Sequence, residues 1–139
     1  MYDPYFQQYA TSMLDWRWLK AQAMSESALD PLAESPVGAK GLCQFMDPTW
    51  NEWGNGQSVW HAPSSINAQA KYMTWIMQRP YVYDHWQALA AYNWGIGNVK
   101  RISTDESWFT LLPRETRDYL PRINRYFVEF GGIPVNTPF

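Results

Sequence analysis

Between its Pro- and Gly-bearing breaks, no stretch of this chain alternates apolar and polar residues in the two-residue rhythm of a half-buried strand. The segments between breaks carry helix start and stop signals instead. "YDPYFQQYATSML" offers Asp3 as an N-cap and Pro4 at the first helical position, where a missing N–H costs no hydrogen bond. A second helix is expected from Asp15 to about Ser27. At about 100° per residue, Trp16, Leu19 and Ala23 fall on one stripe, Glu26 lies about 60° from its centre, and Ser27 sits on the other flank. Glu26 therefore stands at the border of an apolar face.

"DPLAESPVGAK", Asp30 to Lys40, has two prolines, a glycine and no period, and reads as a short ordered loop. "GLCQFMDPTWNEW" gives a helical turn, a new start with Asp47 as N-cap and Pro48 at the first helical position, and a short helix that "GNGQ" ends. A longer helix is expected from Ser65 to Gln78, capped by Ser64 or Ser65 and stopped by Pro80. "DHWQALAAYNWG" reads as a helix with Asp84 as N-cap and Gly95 as a left-handed terminator, and its Ala88, Ala90 and Ala91 allow close packing. The last helix runs from Pro113 to about Phe130, with a kink expected at Pro121. These segments predict an all-α fold, with little or no β structure, forming one domain over residues 1–139.

Nine tryptophans and an aromatic fraction of 17% exceed what a core of this size needs, so some rings are expected to contact a ligand. A formal net charge of −2 and a pI near 5.6 lack the basic field that draws a phosphate backbone, which argues against nucleic acid. A polymer of neutral sugars suits the composition better, because aromatic faces cover sugar CH surfaces while amides and hydroxyls bond the rims. One cysteine, Cys43, excludes an internal disulfide, and with only His61 and His85 beside it neither a closed zinc shell nor any other metal site is expected. No apolar run approaches the roughly 18 residues that span a bilayer, and "MYDPYFQQYATSML" does not read as an export leader, so no stable membrane insertion is expected.

Glu26 has two readings. A glutamate in the last turn of a helix is ordinarily a solvated surface acid. Against an apolar stripe, desolvation would raise its pKa from about 4.3, leaving a neutral acid able to protonate a leaving oxygen. "GNGQ" and "GIGN" lack the spacing and the preceding strand of phosphate-binding loops and are read as helix ends. Cys43 is read as packing rather than a nucleophile, and the two histidines as partners in structural hydrogen bonds.

"MSESALDPLAESPVGAKGLCQF", the helix "INAQAKYMTWIM", "ALAAYNWGIGNVKR" and "ETRDYLPRI" occur in that order. Together, over roughly Leu14 to Tyr126, they resemble the lytic transglycosylases of the soluble (SLT) type. The resemblance implies a lysozyme-like helical fold with a cleft for peptidoglycan glycan strands of N-acetylmuramic acid and N-acetylglucosamine. It also implies that Glu26 is the single catalytic acid and base, with Ser27 orienting the site and Gln44 binding substrate in the cleft. Tyr92 and Asn93 match residues that flank the carboxylate and the N-acetyl group in similar enzymes, and Glu115 and Tyr119 match the last motif near the cleft. Each has a structural alternative: Tyr92 a helix contact, Asn93 the Gly95 turn, Glu115 a surface pair with Arg114 or Arg117. Ser35 stands in the loop that borders the acid in similar proteins.

The implied chemistry has Glu26 protonate the glycosidic oxygen after muramic acid while the N-acetyl group stabilises the anomeric centre. The carboxylate then takes the proton of the sugar's own 6-hydroxyl, closing a 1,6-anhydro ring without metal or cofactor. Departures are Cys43 where methionine is usual, expected to alter packing, and Trp94 and Ile96 where small residues or proline are common, expected to make the groove narrower or more aromatic. Trp50, Trp53, Trp60 and Trp94 are candidate sugar-stacking walls. Two alternatives stand beside this reading: a goose-type-lysozyme-like muramidase with Asp47 or Asp84 as second acid, and a non-catalytic wall-binding protein on the same fold. A monomer is expected, acting on the wall outside the cytoplasm. The absence of a visible leader suggests a bacteriophage lysis or virion enzyme, although a trimmed piece of an exported bacterial enzyme would read the same.

Overall fold

The computed structural model describes residues 1–139. Its helices are α1 (Asp3–Tyr9), α2 (Trp16–Ser27), α3 (Asp47–Trp53), α4 (Ala62–Met77), α5 (His85–Trp94), α6 (Ile96–Ile102) and α7 (Arg114–Glu129), with a 3-10 turn at Trp108–Leu111. There is no strand. Three isolated bridges, Thr11–Leu14, Glu34–Lys40 and Lys40–Phe45, tie loops together, so the all-α expectation holds. No helix is long and apolar enough to cross a membrane.

Of the expected caps Asp84 forms, and Asp15, where the second helix was expected to begin, caps α2. Asp15 accepts from the Arg17 N–H and Asp84 from the Gln87 N–H, each at 2.9 Å, satisfying donors that a helix start leaves free. Asp3 and Asp47 instead lie inside the first turns of α1 and α3, and their carboxylates pair with Lys20 at 2.9 Å and Lys40 at 3.0 Å. α4 begins at Ala62 rather than Ser65, because Pro63 already serves in its first turn, and Ser65 is buried. Gly95 has the positive φ expected of it (110°), but its ψ of 138° leads straight into α6. That helix was not foreseen, since seven residues are too few to show a helical period.

One core gathers 27 buried apolar residues. Its central pair is α2 against α7; α1 packs on α2 and α4, α4 packs on α5, and α5 packs on α7 and continues into α6. The buried face of α2 carries Trp18, Leu19, Ala21, Gln22 and Ala23, so the stripe is centred further round than the sequence count placed it and Trp16 is only half-buried. α7 buries Thr116, Tyr119, Leu120, Ile123 and Phe127 at helical spacing and runs through Pro121 without interruption. Side chains such as Leu19 and Ile123, fully enclosed, contribute about 1.5–3 kcal/mol each, enough to hold α7 together despite one absent N–H. Phe127 stacks on Trp18 with ring centroids 3.6 Å apart.

Candidate active site

The end of α2, the loop from 33 to 46, the end of α5 and the start of α7 enclose a cleft of about 500 Å³. Glu26, Ser35, Gln44, Tyr92, Asn93, Glu115 and Tyr119 all line it; Ser27 does not. The Ser27 hydroxyl donates to the Leu42 carbonyl at 2.7 Å, clamping the loop to the last turn of α2, and Ser25 is the serine that faces the cleft.

The backbone around Glu26 is held in costly conformations. Ala28 and Leu29, directly after α2, have φ of 55° and 61°, and Gln44 across the cleft has φ of 54°. A left-handed non-glycine residue costs about 1–2 kcal/mol, so surrounding contacts must impose three of them here. Gln44 Nε2 donates to the carbonyls of Gly41 at 2.9 Å and Ala33 at 3.1 Å, leaving Oε1 as its uncommitted atom. Gly41 has φ of 82°, and any Cβ there would collide with the Val59 carbonyl oxygen.

Behind Glu26 lies a buried chain of donors. Gln69 Nε2 donates to Gln22 Oε1 at 2.9 Å, Gln22 Nε2 to the Tyr119 hydroxyl at 3.0 Å, and that hydroxyl to Glu26 Oε2 at 2.8 Å. Gln69 is itself anchored on the Leu19 carbonyl at 3.0 Å. A buried polar group left unmatched costs about 1–3 kcal/mol, so each member fixes the next. The tyrosine's single proton is committed to the carboxyl.

Burial is the largest influence on Glu26 and raises its pKa from the ordinary 4.5 to about 7. The Tyr119 hydrogen bond and the Arg122 guanidinium pull it down, and Glu115 pushes it up. Arg122 is fixed from α7 by donating through Nε to Ser25 Oγ at 2.8 Å. Burial also raises the Tyr119 and Tyr92 hydroxyls well above their usual range, keeping both neutral. Tyr92 donates to the Cys43 carbonyl at 2.8 Å. Thr116 donates to Asn93 Oδ1 at 2.9 Å, which leaves the Asn93 amide group as a donor toward the cleft.

Several sequence expectations need correcting. None of Trp50, Trp53, Trp60 and Trp94 lines this cleft: Trp50 donates to the Gln57 carbonyl at 2.9 Å, Trp60 is exposed, Trp94 packs half-buried on the core, and Trp53 lines a separate groove. Trp94 therefore does not narrow the groove. Asp84 caps α5 and Asp47 pairs with Lys40, so neither faces Glu26; Glu115 is the only other carboxylate lining the cleft. Cys43 is fully buried, and burial pushes its thiol up to about 12. His61 bonds Ser64 at 2.7 Å as expected, but His85 packs against Trp18 and Trp86 with a buried Nε2 that has no partner. Gln22, Gln69, Thr116 and Arg122 were missed. Gln22 alone left a signal, one helical turn before Glu26.

The sequence model of the transglycosylase SLT domain matches residues 3–110. Membrane-bound lytic murein transglycosylase F of Pseudoalteromonas translucida is 37% identical over 112 residues, which cover 76% of this chain and 23% of that protein. The protein of the same description from Shewanella woodyi is 36% identical over 132 residues, 89% of this chain and 27% of that one. The chain thus spans about a quarter of the length of these curated relatives. Among solved structures, the 70 kDa soluble lytic transglycosylase of Escherichia coli superposes with a TM-score of 0.76 at 27% identity, over 94% of this chain and 24% of that one. An inactive variant of the lytic transglycosylase Slt from Pseudomonas aeruginosa gives 0.72 at 28% identity, over 85% and 22%.

Proposed function

The chain belongs to the transglycosylase SLT domain family, and from that premise we propose that it cleaves the β-1,4 bond between N-acetylmuramic acid and N-acetylglucosamine in peptidoglycan, leaving 1,6-anhydromuramic ends. The observation that carries the proposal is Glu26, partly buried in the cleft wall with its pKa near 7 and one oxygen fixed by Tyr119. A group poised there is protonated often enough to act as acid and ionised readily enough to act next as base.

Because Tyr119 donates to Oε2, the proton of neutral Glu26 resides on Oε1, and that oxygen delivers it to the glycosidic oxygen. The Asn93 amide, turned outward by Thr116, donates to the N-acetyl carbonyl of muramic acid and holds it against the anomeric carbon. The Gln44 Oε1 and the Glu115 carboxylate accept from sugar hydroxyls or amides, while Tyr92 and Ser27 hold the loop that carries Gln44. The carboxylate of Glu26 then removes the 6-hydroxyl proton as that oxygen attacks the anomeric carbon. Acid and base are thereby restored with no cofactor.

Hydrolysis would need a second group to activate water. Glu115 is the cleft's one candidate, on the exposed first turn of α7. Mass spectrometry of fragments released from sacculi decides: anhydromuramic ends support the lyase, and reducing muramic ends replace it with a muramidase. No release at all, with binding intact, supports a wall-binding protein. The enzyme is proposed to work as a monomer on the wall. The relatives reported above are bacterial.

A further inference from the structure

A second groove, about 520 Å³ and as large as the catalytic cleft, lies where α1, the end of α3 and the outer face of α4 meet. No residue is common to the two. Two half-buried indoles, Trp53 and Trp75, line it with centroids 5.8 Å apart, and Tyr72 sits behind both at 5.4 and 6.3 Å. Arg79 holds Trp75 in place, its guanidinium 4.3 Å from the ring and its Nε donating to the Trp75 carbonyl at 3.0 Å.

The polar side chains around these rings are unusually free. Gln8, Asn67 and Gln78 line the groove, and none of their carboxamides takes part in the side-chain hydrogen bonds that hold the rest of the molecule, unlike Gln22, Gln44, Gln69 and Gln87. Lys71 lines it too and belongs to none of the four ion pairs, and the lining contains no acid. Apolar ring faces flanked by uncommitted amide donors and acceptors match a pyranose with N-acetyl groups, and an unpaired ammonium matches a polymer that also bears carboxylates. Of the four tryptophans expected to stack on sugar, Trp53 alone is found here, beside Trp75.

We infer that this groove is a second glycan-binding site, which holds an N-acetylated sugar strand of the wall on the α1–α3–α4 face while Glu26 works on another stretch of polymer. The inference rests on the peptidoglycan reading for the identity of the strand, and its test is read by binding as well as by turnover. Asn67→Ala combined with Gln78→Ala removes two side chains that hold nothing else in place. Retention on insoluble sacculi should fall about three- to tenfold, the scale of one or two hydrogen bonds. Release from sacculi should slow with it, while turnover of a short soluble glycan stays unchanged. Trp75→Ala should act in the same direction, with its melting temperature recorded to separate binding from folding.

In Glu26→Gln protein, tetra-N-acetylchitotetraose should shift the side-chain amide NMR signals of Gln8, Asn67 and Gln78. That result does not depend on catalysis, so it stands even if the lyase reading fails. The inference is overturned if those signals stay fixed while cleft signals move, if the double variant is retained on sacculi like the parent, or if soluble and insoluble turnover fall equally.

Discussion

The Tyr119 hydroxyl donates to Glu26 Oε2 across 2.8 Å, and its own oxygen accepts from Gln22 Nε2 at 3.0 Å. The direction of the first bond is thus set by the second, and a residue on α7 governs the acid on α2.

Tyr119→Phe removes a donor that favours the Glu26 carboxylate. The Glu26 pKa should rise above its present value of about 7, carrying the alkaline limb of the kcat/KM profile to higher pH. The substitution also strands Gln22 and should cost about 1–3 kcal/mol in urea unfolding. A limb that moves down would contradict the arrangement.

Glu26→Gln should lower release of wall fragments by about a hundredfold or more, the usual scale for losing an acid catalyst. It should also change stability in a pH-dependent way. The folded protein binds the Glu26 proton up to about pH 7, whereas the ordinary value is 4.5, so wild-type stability falls as pH rises from 4.5 to 7 and is level above. At about 1.36 kcal/mol per unit the whole effect is about 3 kcal/mol. Glutamine escapes it, so the variant should unfold at higher urea than wild type at pH 8, with the advantage gone by pH 4.

Gln22→Met fills similar space but breaks the donor chain at both ends. Combined with Tyr119→Phe, its cost should fall short of the sum of the two single costs by about 0.5–3 kcal/mol, because the second substitution removes a bond the first has already lost. Additive costs would mean that the two residues act separately.

Ala28→Gly relieves the left-handed strain directly behind the acid, at an exposed position with no side-chain contact to lose. It should stabilise the fold by about 0.5–1 kcal/mol, read as a higher urea midpoint. Gly41→Ala should do the opposite by at least about 1 kcal/mol, and lower activity as well, because the loop that carries Gln44 must shift away from Val59.

The helices were legible where local chemistry dictates them. Asp15 and Asp84 announce starts because a short carboxylate is the simplest partner for free N–H groups, and the period of α7 survives Pro121 because its buried positions keep their spacing. α6 escaped because its start depends on the ψ of Gly95, which no residue type reveals. In the site, the residues of the quoted motifs were named in advance, yet the contacts that govern them were not. Gln69 lies 47 positions from Gln22, and Thr116 lies 23 from Asn93. Such pairs meet only when α2, α4, α5 and α7 pack. The tryptophans misled for the same reason: composition announced a surplus of rings without saying which face would carry them.

Cys43 lends its carbonyl to Tyr92 and keeps its thiol sealed in the core at a pKa of about 12. Thiolate is the species that attacks maleimides, disulfides and peroxides, so this sulfur is chemically silent at neutral pH. The folded chain should therefore form no disulfide through Cys43 in oxidising surroundings. A cysteine introduced on its surface would be the single point at which a thiol-directed fluorophore or cross-linker attaches.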